Sequence, residues 1–305
     1  MSTSMKQFND AITCSYPRLD RYISEYLGLI PRSQLKTARI KTIQLDGKSV
    51  KLAQKVVEGQ QLHIEWELPT SSHLTPQNIP LSIIYEDEHV WVINKPQGMV
   101  VHPGSGRPDQ TLANALAYRL QQSHAELYNT ERPGIVHRLD MDTSGVIICA
   151  KDADTHQFLA EQFQQRTVKK RYLAVLDTPE VTPARGLIKN YIDRSRRIRT
   201  LFVCGEDSSR GRFAATGYRL LHRSDKYSLV LFKPYTGRTH QLRVHAKNML
   251  APIVGDPLYN PHRHPSELML HAWKLQITLP GNNEPSTFMA PAPERFYQCL
   301  NIKKP

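Results

Sequence analysis

Apolar positions in the first part of the chain follow two periods in succession. Leu19, Tyr22, Ile23, Tyr26 and Leu27 recur at helical spacing, and Pro31-Arg32-Ser33 is a start signal for a second short helix carrying Leu35 and Ala38. The period then drops to two. Residues 42–45 and 48–50 flank Asp46-Gly47, a two-residue hairpin signal, and Leu62, Ile64 and Trp66 alternate as one more half-buried strand. Residues 14–68 therefore read as a small α+β module. The stretch 69–80, polar and interrupted by Pro69, Pro76 and Pro80, has the composition of a linker.

Beyond it, 81–300 reads as a larger domain. Strands are expected at 81–85 and 89–94, and a helix at 111–122 that carries Leu112, Ala115 and Leu116. Ile135-Val136 and Val146 to Ile148 are short β-branched runs of buried-strand type. Asp154 with Gln157 marks a helix start ahead of Phe158, Leu159 and Phe163. Further strands follow at 171–176, 217–221 and 227–233. Strands dominate, helices fall between them irregularly, and neither βαβ alternation nor an internal repeat is evident. The expected class is α+β, built on a mixed, largely antiparallel sheet.

Length and composition narrow this picture. A chain of 305 residues with 40% hydrophobic content can build one full-sized domain and a small one. The opening residues lack the apolar core of a signal peptide, and no apolar run is long enough to span a bilayer, so a cytoplasmic protein without a membrane partner is expected. Cys14, Cys149, Cys204 and Cys299 are widely separated and suggest neither a disulfide framework nor a zinc-thiolate site. The formal net charge is +12, and Arg194, Arg196, Arg197, Arg199, Arg210 and Arg212 crowd one region. Such a patch is the footprint of a protein that tracks phosphate backbones, with a solvated basic face as the plain alternative.

The stretch 133–150, Pro-Gly-Ile-Val-His-Arg-Leu-Asp-Met-Asp-Thr-Ser-Gly-Val-Ile-Ile-Cys-Ala, sets a charged loop between two apolar runs. Scaffolded polar loops are where catalytic groups concentrate, yet Asp-x-Asp-Thr-Ser-Gly is equally readable as a well-capped turn. Pattern alone leaves both open. The stretch closely resembles the active-site motif of the RluA family of pseudouridine synthases, which isomerise uridine in folded RNA. Three more stretches resemble that family in order: Val92 to Gly104, Lys169 to Val175, and Thr236 to His245 followed by Pro252 to Tyr259.

The resemblance implies a fold of the class given above and an RNA partner, large-subunit ribosomal RNA ahead of tRNA; a monomer is expected. It makes Asp140 the carboxylate that acts at the glycosidic bond, and Tyr172 the ring that stacks on the target uracil. It pairs Arg238 with the Asp140 carboxylate and has Leu242, on a following strand, wall the pocket. Arg138 has two readings, a phosphate contact or a side chain that fills the gap left by the displaced base; the resemblance favours the second. Asp142 is the rival carboxylate, with turn capping as its expected work. The N-terminal module is similar to the alpha-L, ribosomal protein S-four type, RNA-binding domain, which puts Lys36, Arg39 and Lys41 on an RNA-facing helix. It departs from that type where a glycine is usual, at Arg39-Ile40-Lys41-Thr42. Arg196 and Arg197 are expected to contact RNA.

His240, His245, His262, His264 and His271 lack metal-ligand spacing, and no Gly-rich phosphate loop or dinucleotide fingerprint occurs, so neither a metal nor a nucleotide cofactor is expected. Two other classes compete. The Asp-x-Asp loop is also used by magnesium-dependent aspartyl phosphohydrolases, but there it ends a continuous apolar strand, and here His137-Arg138 interrupts. A non-catalytic RNA-binding or ribosome-assembly factor would be expected to lose Asp140, Tyr172 or Arg238, and all three are present.

Overall fold

The computed structural model describes residues 5–304 apart from 31–34, 36–38, 68–73, 105–106, 124–131, 199, 206–209 and 262–266. The chain divides into two compact units, Met1–His73 and Leu74–Pro305.

The first unit holds strands β1 (Met5–Ala11), β2 (Arg39–Leu45), β3 (Lys48–Ser49) and β4 (Gln61–Glu67), with a short helix α1 (Leu19–Arg21) that runs into a π-helical turn over Tyr22–Tyr26. Its antiparallel sheet has the order β1-β4-β2-β3. The alternation in β4 buries Leu62, Ile64 and Trp66, and these pack with Leu19, Tyr22 and Ile23 into one core. Asp46 and Gly47 both take positive φ, 51° and 75°, the two-residue turn whose twist suits a hairpin. Strand β1 has no counterpart in the apolar pattern, because Met-Lys-Gln-Phe-Asn-Asp-Ala is a mostly exposed edge without alternation. Arg39 and Lys41 do not lie on a helix. Arg39 opens β2 opposite Glu67, and Lys41 ion-pairs with Glu67 at 2.6 Å, so the strand begins before the residues whose alternation announces it. Lys36 and most of the expected second helix lie outside the described residues.

The second unit contains β5 (Ile83–Glu86), β6 (Val90–Lys95), α2 (Leu112–Gln122), β7 (Ser144–Ala150), α3 (Ala153–Gln165), β8 (Lys169–Leu176), β9 (Arg185–Arg194), β10 (Phe202–Gly205), β11 (Arg212–Arg223), β12 (Ser228–Pro234), α4 (Gln241–Met249), β13 (Leu270–Thr278), β14 (Pro285–Met289) and α5 (Glu294–Leu300). One sheet of ten strands runs β10-β9-β11-β12-β8-β13-β7-β6-β5, with β14 on β13. The β13–β7 pair is parallel and the other ladders are antiparallel. The unit is thus α+β with a mixed, largely antiparallel sheet. Strand β7 is buried along its whole length, as its apolar run requires, and α2 covers it with Leu112, Leu116 and Leu120.

Some elements differ from expectation. Ile135-Val136 forms no strand and makes a single bridge to Cys149, because Gly134 turns the chain with φ 65°. Helix α3 is capped by Asp152, whose carboxylate accepts from Thr155 N at 2.7 Å, and not by Asp154. Leu242 sits on helix α4 and not on a strand, because the chain takes a left-handed step at His240, φ 56°, and starts a helix there.

Gly145 is the point where β7 meets β13 in parallel register, Ala272 beside it, with φ 115°. A Cβ there would run into the Ala272 carbonyl oxygen. Gly145→Ala is expected to cost more than about 3 kcal/mol by combining a disfavoured φ with a backbone clash. A urea midpoint equal to that of the parent chain would contradict this reading.

Candidate active site

The loop from His137 to Thr143 enters β7 through a fixed set of contacts. Leu139 is buried, Thr143 N donates to the Asp140 carbonyl at 3.1 Å, and Ile148 N donates to His137 Nε2 at 3.1 Å. His137 stacks on Phe163 with ring centroids 4.4 Å apart. Burial, aided by Lys170, pushes its pKa down to about 3, so the ring is neutral and its bare nitrogen serves as an acceptor. The far side of the loop is tied down by Lys95, which is fully buried and donates to the carbonyls of Pro96, Met99 and Met141 at 2.8, 2.8 and 3.1 Å. Burial lowers its pKa to about 8, against the opposing pull of Asp140 and Asp142.

These contacts present Asp140 to a cavity of about 660 Å³, lined among others by Arg138, Lys170, Tyr172, Arg238, Leu242 and Arg243. The Asp140 side chain keeps 24% of its surface exposed, and its Oδ2 lies 3.7 Å from an Arg243 guanidinium nitrogen. Asp142, two residues on, does not line the cavity. The rival carboxylate therefore faces elsewhere.

Arg238 is not the partner of Asp140. Its Nε donates to the Phe213 carbonyl at 3.0 Å, on β11, and it precedes the left-handed step at His240 that redirects the chain. Arg243, in the first turn of α4, is the cation that reaches the carboxylate. It is almost fully buried, and it forks onto Asp256 through two bonds, Nε to Oδ2 at 2.8 Å and a terminal nitrogen to Oδ1 at 2.7 Å. Asp256 is wholly buried and also accepts from the backbone N–H groups of Leu258 and Tyr259, each at 2.9 Å. The Tyr259 ring lies 5.2 Å from the Arg243 guanidinium, and its hydroxyl meets His240 Nδ1 and the Phe202 N–H, each at 3.0 Å. Two bonds to Asp256 and an aromatic face thus hold the guanidinium, and its other terminal nitrogen lies toward Asp140.

Tyr172, on β8, lines the same cavity. Burial first and Asp140 second raise its phenol pKa, which keeps the ring neutral. Leu242 is buried and forms part of the wall from α4. Arg138 is exposed at the cavity edge. Arg196 and Arg197 are exposed in the turn between β9 and β10 and line neither this cavity nor the smaller one beside it. Among the histidines, His240, His245 and His271 are held by protein groups: Tyr259, then Thr216 and Asn190, then Ser144 and the Ala290 carbonyl. His262 and His264 lie outside the described residues. Lys95, Arg243 and Asp256 all fall within the motif stretches, but spacing could not assign them work, because their partners lie elsewhere in the chain.

A half-exposed carboxylate clamped by a buried arginine, faced by a neutral aromatic ring and ringed by cations, defines an enzyme for a polyanionic substrate that carries a planar base. The comparisons with known proteins agree with that class. Residues 89–248 match the RNA pseudouridylate synthase family. The chain is 42% identical over 294 residues to the ribosomal large subunit pseudouridine synthase D of Borreliella burgdorferi, covering 93% of this chain and 89% of that protein. It is 36% identical to the protein of the same name from Xanthomonas campestris, over 99% of this chain and 93% of that one. The solved structure of human RNA pseudouridylate synthase domain containing 4 aligns with TM-score 0.58 and 27% identity, over 73% of this chain and 94% of that one. The chain belongs to the RluA-type family of RNA pseudouridine synthases. It is an enzyme that isomerises uridine in RNA, and both competing classes fall away.

Proposed function

We propose that this synthase acts on large-subunit ribosomal RNA and that the cavity beneath Asp140 receives the target uridine. In the reaction the C1′–N1 bond breaks, a C1′–C5 bond forms, the C5 proton leaves to solvent and N1 gains one. The observation that carries the assignment is the Asp140–Arg243–Asp256 chain: the exposed carboxylate is the one group of the three with surface to offer a substrate. Asp140 acts at the glycosidic bond as nucleophile or as stabiliser of developing positive charge. Tyr172 stacks on the uracil, Leu242 packs beside it, and Arg138 occupies the space the base vacates. Arg243 is a positioning residue that fixes the carboxylate's direction. The names of the relatives support the ribosomal substrate, and with it a cytoplasmic place of work; among the described residues no helix is long and apolar enough to cross a membrane. Tritium release from uracil C5 in labelled transcripts tests the substrate. Release is expected from large-subunit ribosomal RNA, and release from tRNA alone would overturn it.

The N-terminal unit is proposed as an RNA-binding module of the alpha-L type that selects the substrate and takes no part in the chemistry. Its hairpin sheet and separate core support this reading. A chain beginning at Leu74 is expected to fold and to retain turnover on a short RNA while losing preference for the full-length substrate. Unfolding of the truncated chain, or unchanged preference, would contradict it.

A further inference from the structure

Beside the active-site cavity lies a second, smaller one of about 310 Å³, lined by Arg194, Arg210, Arg212 and Arg238 together with Phe202 and Thr239, and with Asp193 as its acidic group. The two cavities share the wall formed by Gly237, Arg238 and Thr239. Arg238 is fixed here by its bond to the Phe213 carbonyl. Burial lowers its pKa, and so do the two charged groups that act on it among the described residues, the cations Arg166 and Arg212. Arg194 lies with its guanidinium 5.5 Å from the Phe202 ring, which steadies it at the rim. Asp193 is partly spent on the neighbouring backbone, accepting from Arg194 N at 2.7 Å. Cations gathered against their own repulsion, within one wall of the base cavity, require an anion to make the arrangement favourable.

We propose that this pocket binds a backbone phosphodiester that directly flanks the target uridine, with Arg212 and Arg238 as its principal ligands. The inference rests on the RNA-isomerising reading of the neighbouring cavity and extends it. The phosphates nearest to a nucleotide drawn into that cavity are its own, and the shared wall puts the pocket within their reach. Arg238 then serves the phosphate and not the carboxylate, which accounts for its aim away from Asp140. Phosphate contacts of this kind fix the register of the RNA and read no sequence.

The test is equilibrium binding by the full chain of a synthetic hairpin from large-subunit ribosomal RNA, carrying a uridine in its loop, at a series of salt concentrations. Arg212→Gln and Arg238→Gln, each checked for folding, are expected to weaken binding about tenfold at low salt and to reduce the salt slope by about 0.7 to 0.9 for one lost phosphate contact. Arg212→Lys should retain most of the slope. With a neutral methylphosphonate at one of the linkages flanking the uridine, the parent chain should lose the same affinity and Arg212→Gln should lose no more. Slopes equal to the parent's, or losses that add at both flanking linkages, would overturn the pocket. A parent chain that binds in this way but releases no tritium would overturn the roles given to Asp140 and Arg243 and leave the pocket standing, because the binding cycle reads no turnover.

Discussion

Asp140→Asn is expected to lower pseudouridine formation on the order of 10⁴-fold or more while RNA binding and the unfolding midpoint stay close to those of the parent. The amide has the shape of the carboxylate and can still face Arg243. It has no charge with which to attack carbon or to stabilise a cationic sugar, so the loss falls on the chemical step. Because 24% of the side chain is exposed and its nearest cation stands at 3.7 Å, little of the fold depends on it. Asp142→Asn is the control within the same loop. Asp142 lines neither the cavity nor its rim, and an amide can serve a turn, so measurable turnover should survive. Single-turnover tritium release on purified, folded proteins distinguishes the two, and comparable abolition by Asp142→Asn would reverse the roles.

Arg243→Met has the second largest expected effect, and it reaches both stability and rate. Its guanidinium supplies two bonds to a carboxylate that has no exposure to water. Breaking a buried pair by removing one partner leaves a charge without compensation and costs about 3–5 kcal/mol. Folded protein that remains should turn over on the order of 10²–10³-fold more slowly, since Asp140 would lose the group that directs it. Arg243→Lys keeps a charge but cannot fork onto both oxygens of Asp256, and should fall between. Arg238→Met, by contrast, should act chiefly on RNA affinity. A larger loss of single-turnover rate at saturating RNA in Arg238→Met than in Arg243→Met would return Arg238 to the carboxylate.

The site was legible in the sequence at its loop and illegible at its supports. Asp140, Tyr172 and Leu242 stand in separate motifs, and the fold brings them to one cavity, while the alternating strand at 61–67 and the Asp46-Gly47 turn followed from period and turn chemistry. The choice between Arg238 and Arg243 was not readable, because both stand in one short stretch, and the left-handed step at His240 that separates their directions has no signature in a non-glycine residue. The same step turned an expected strand into α4. Lys95 reads as an ordinary surface lysine until the carbonyls of Met99 and Met141 are brought around it by the fold. Strand β9 escaped notice because Arg185, Lys189 and Arg194 interrupt its apolar pattern, and β10 because it is only four residues long; Arg194 now lines the proposed phosphate pocket.

The carboxylate of Asp140 is proposed to convert a uridine of large-subunit ribosomal RNA. Mapping pseudouridines across total RNA from cells lacking this gene, and from the same cells supplied with the parent chain or with Asp140→Asn, tests it most directly. Pseudouridine should disappear from one or more large-subunit positions, return with the parent chain, and stay absent with Asp140→Asn. An unchanged ribosomal map, or restoration by the Asp140→Asn protein, would contradict it.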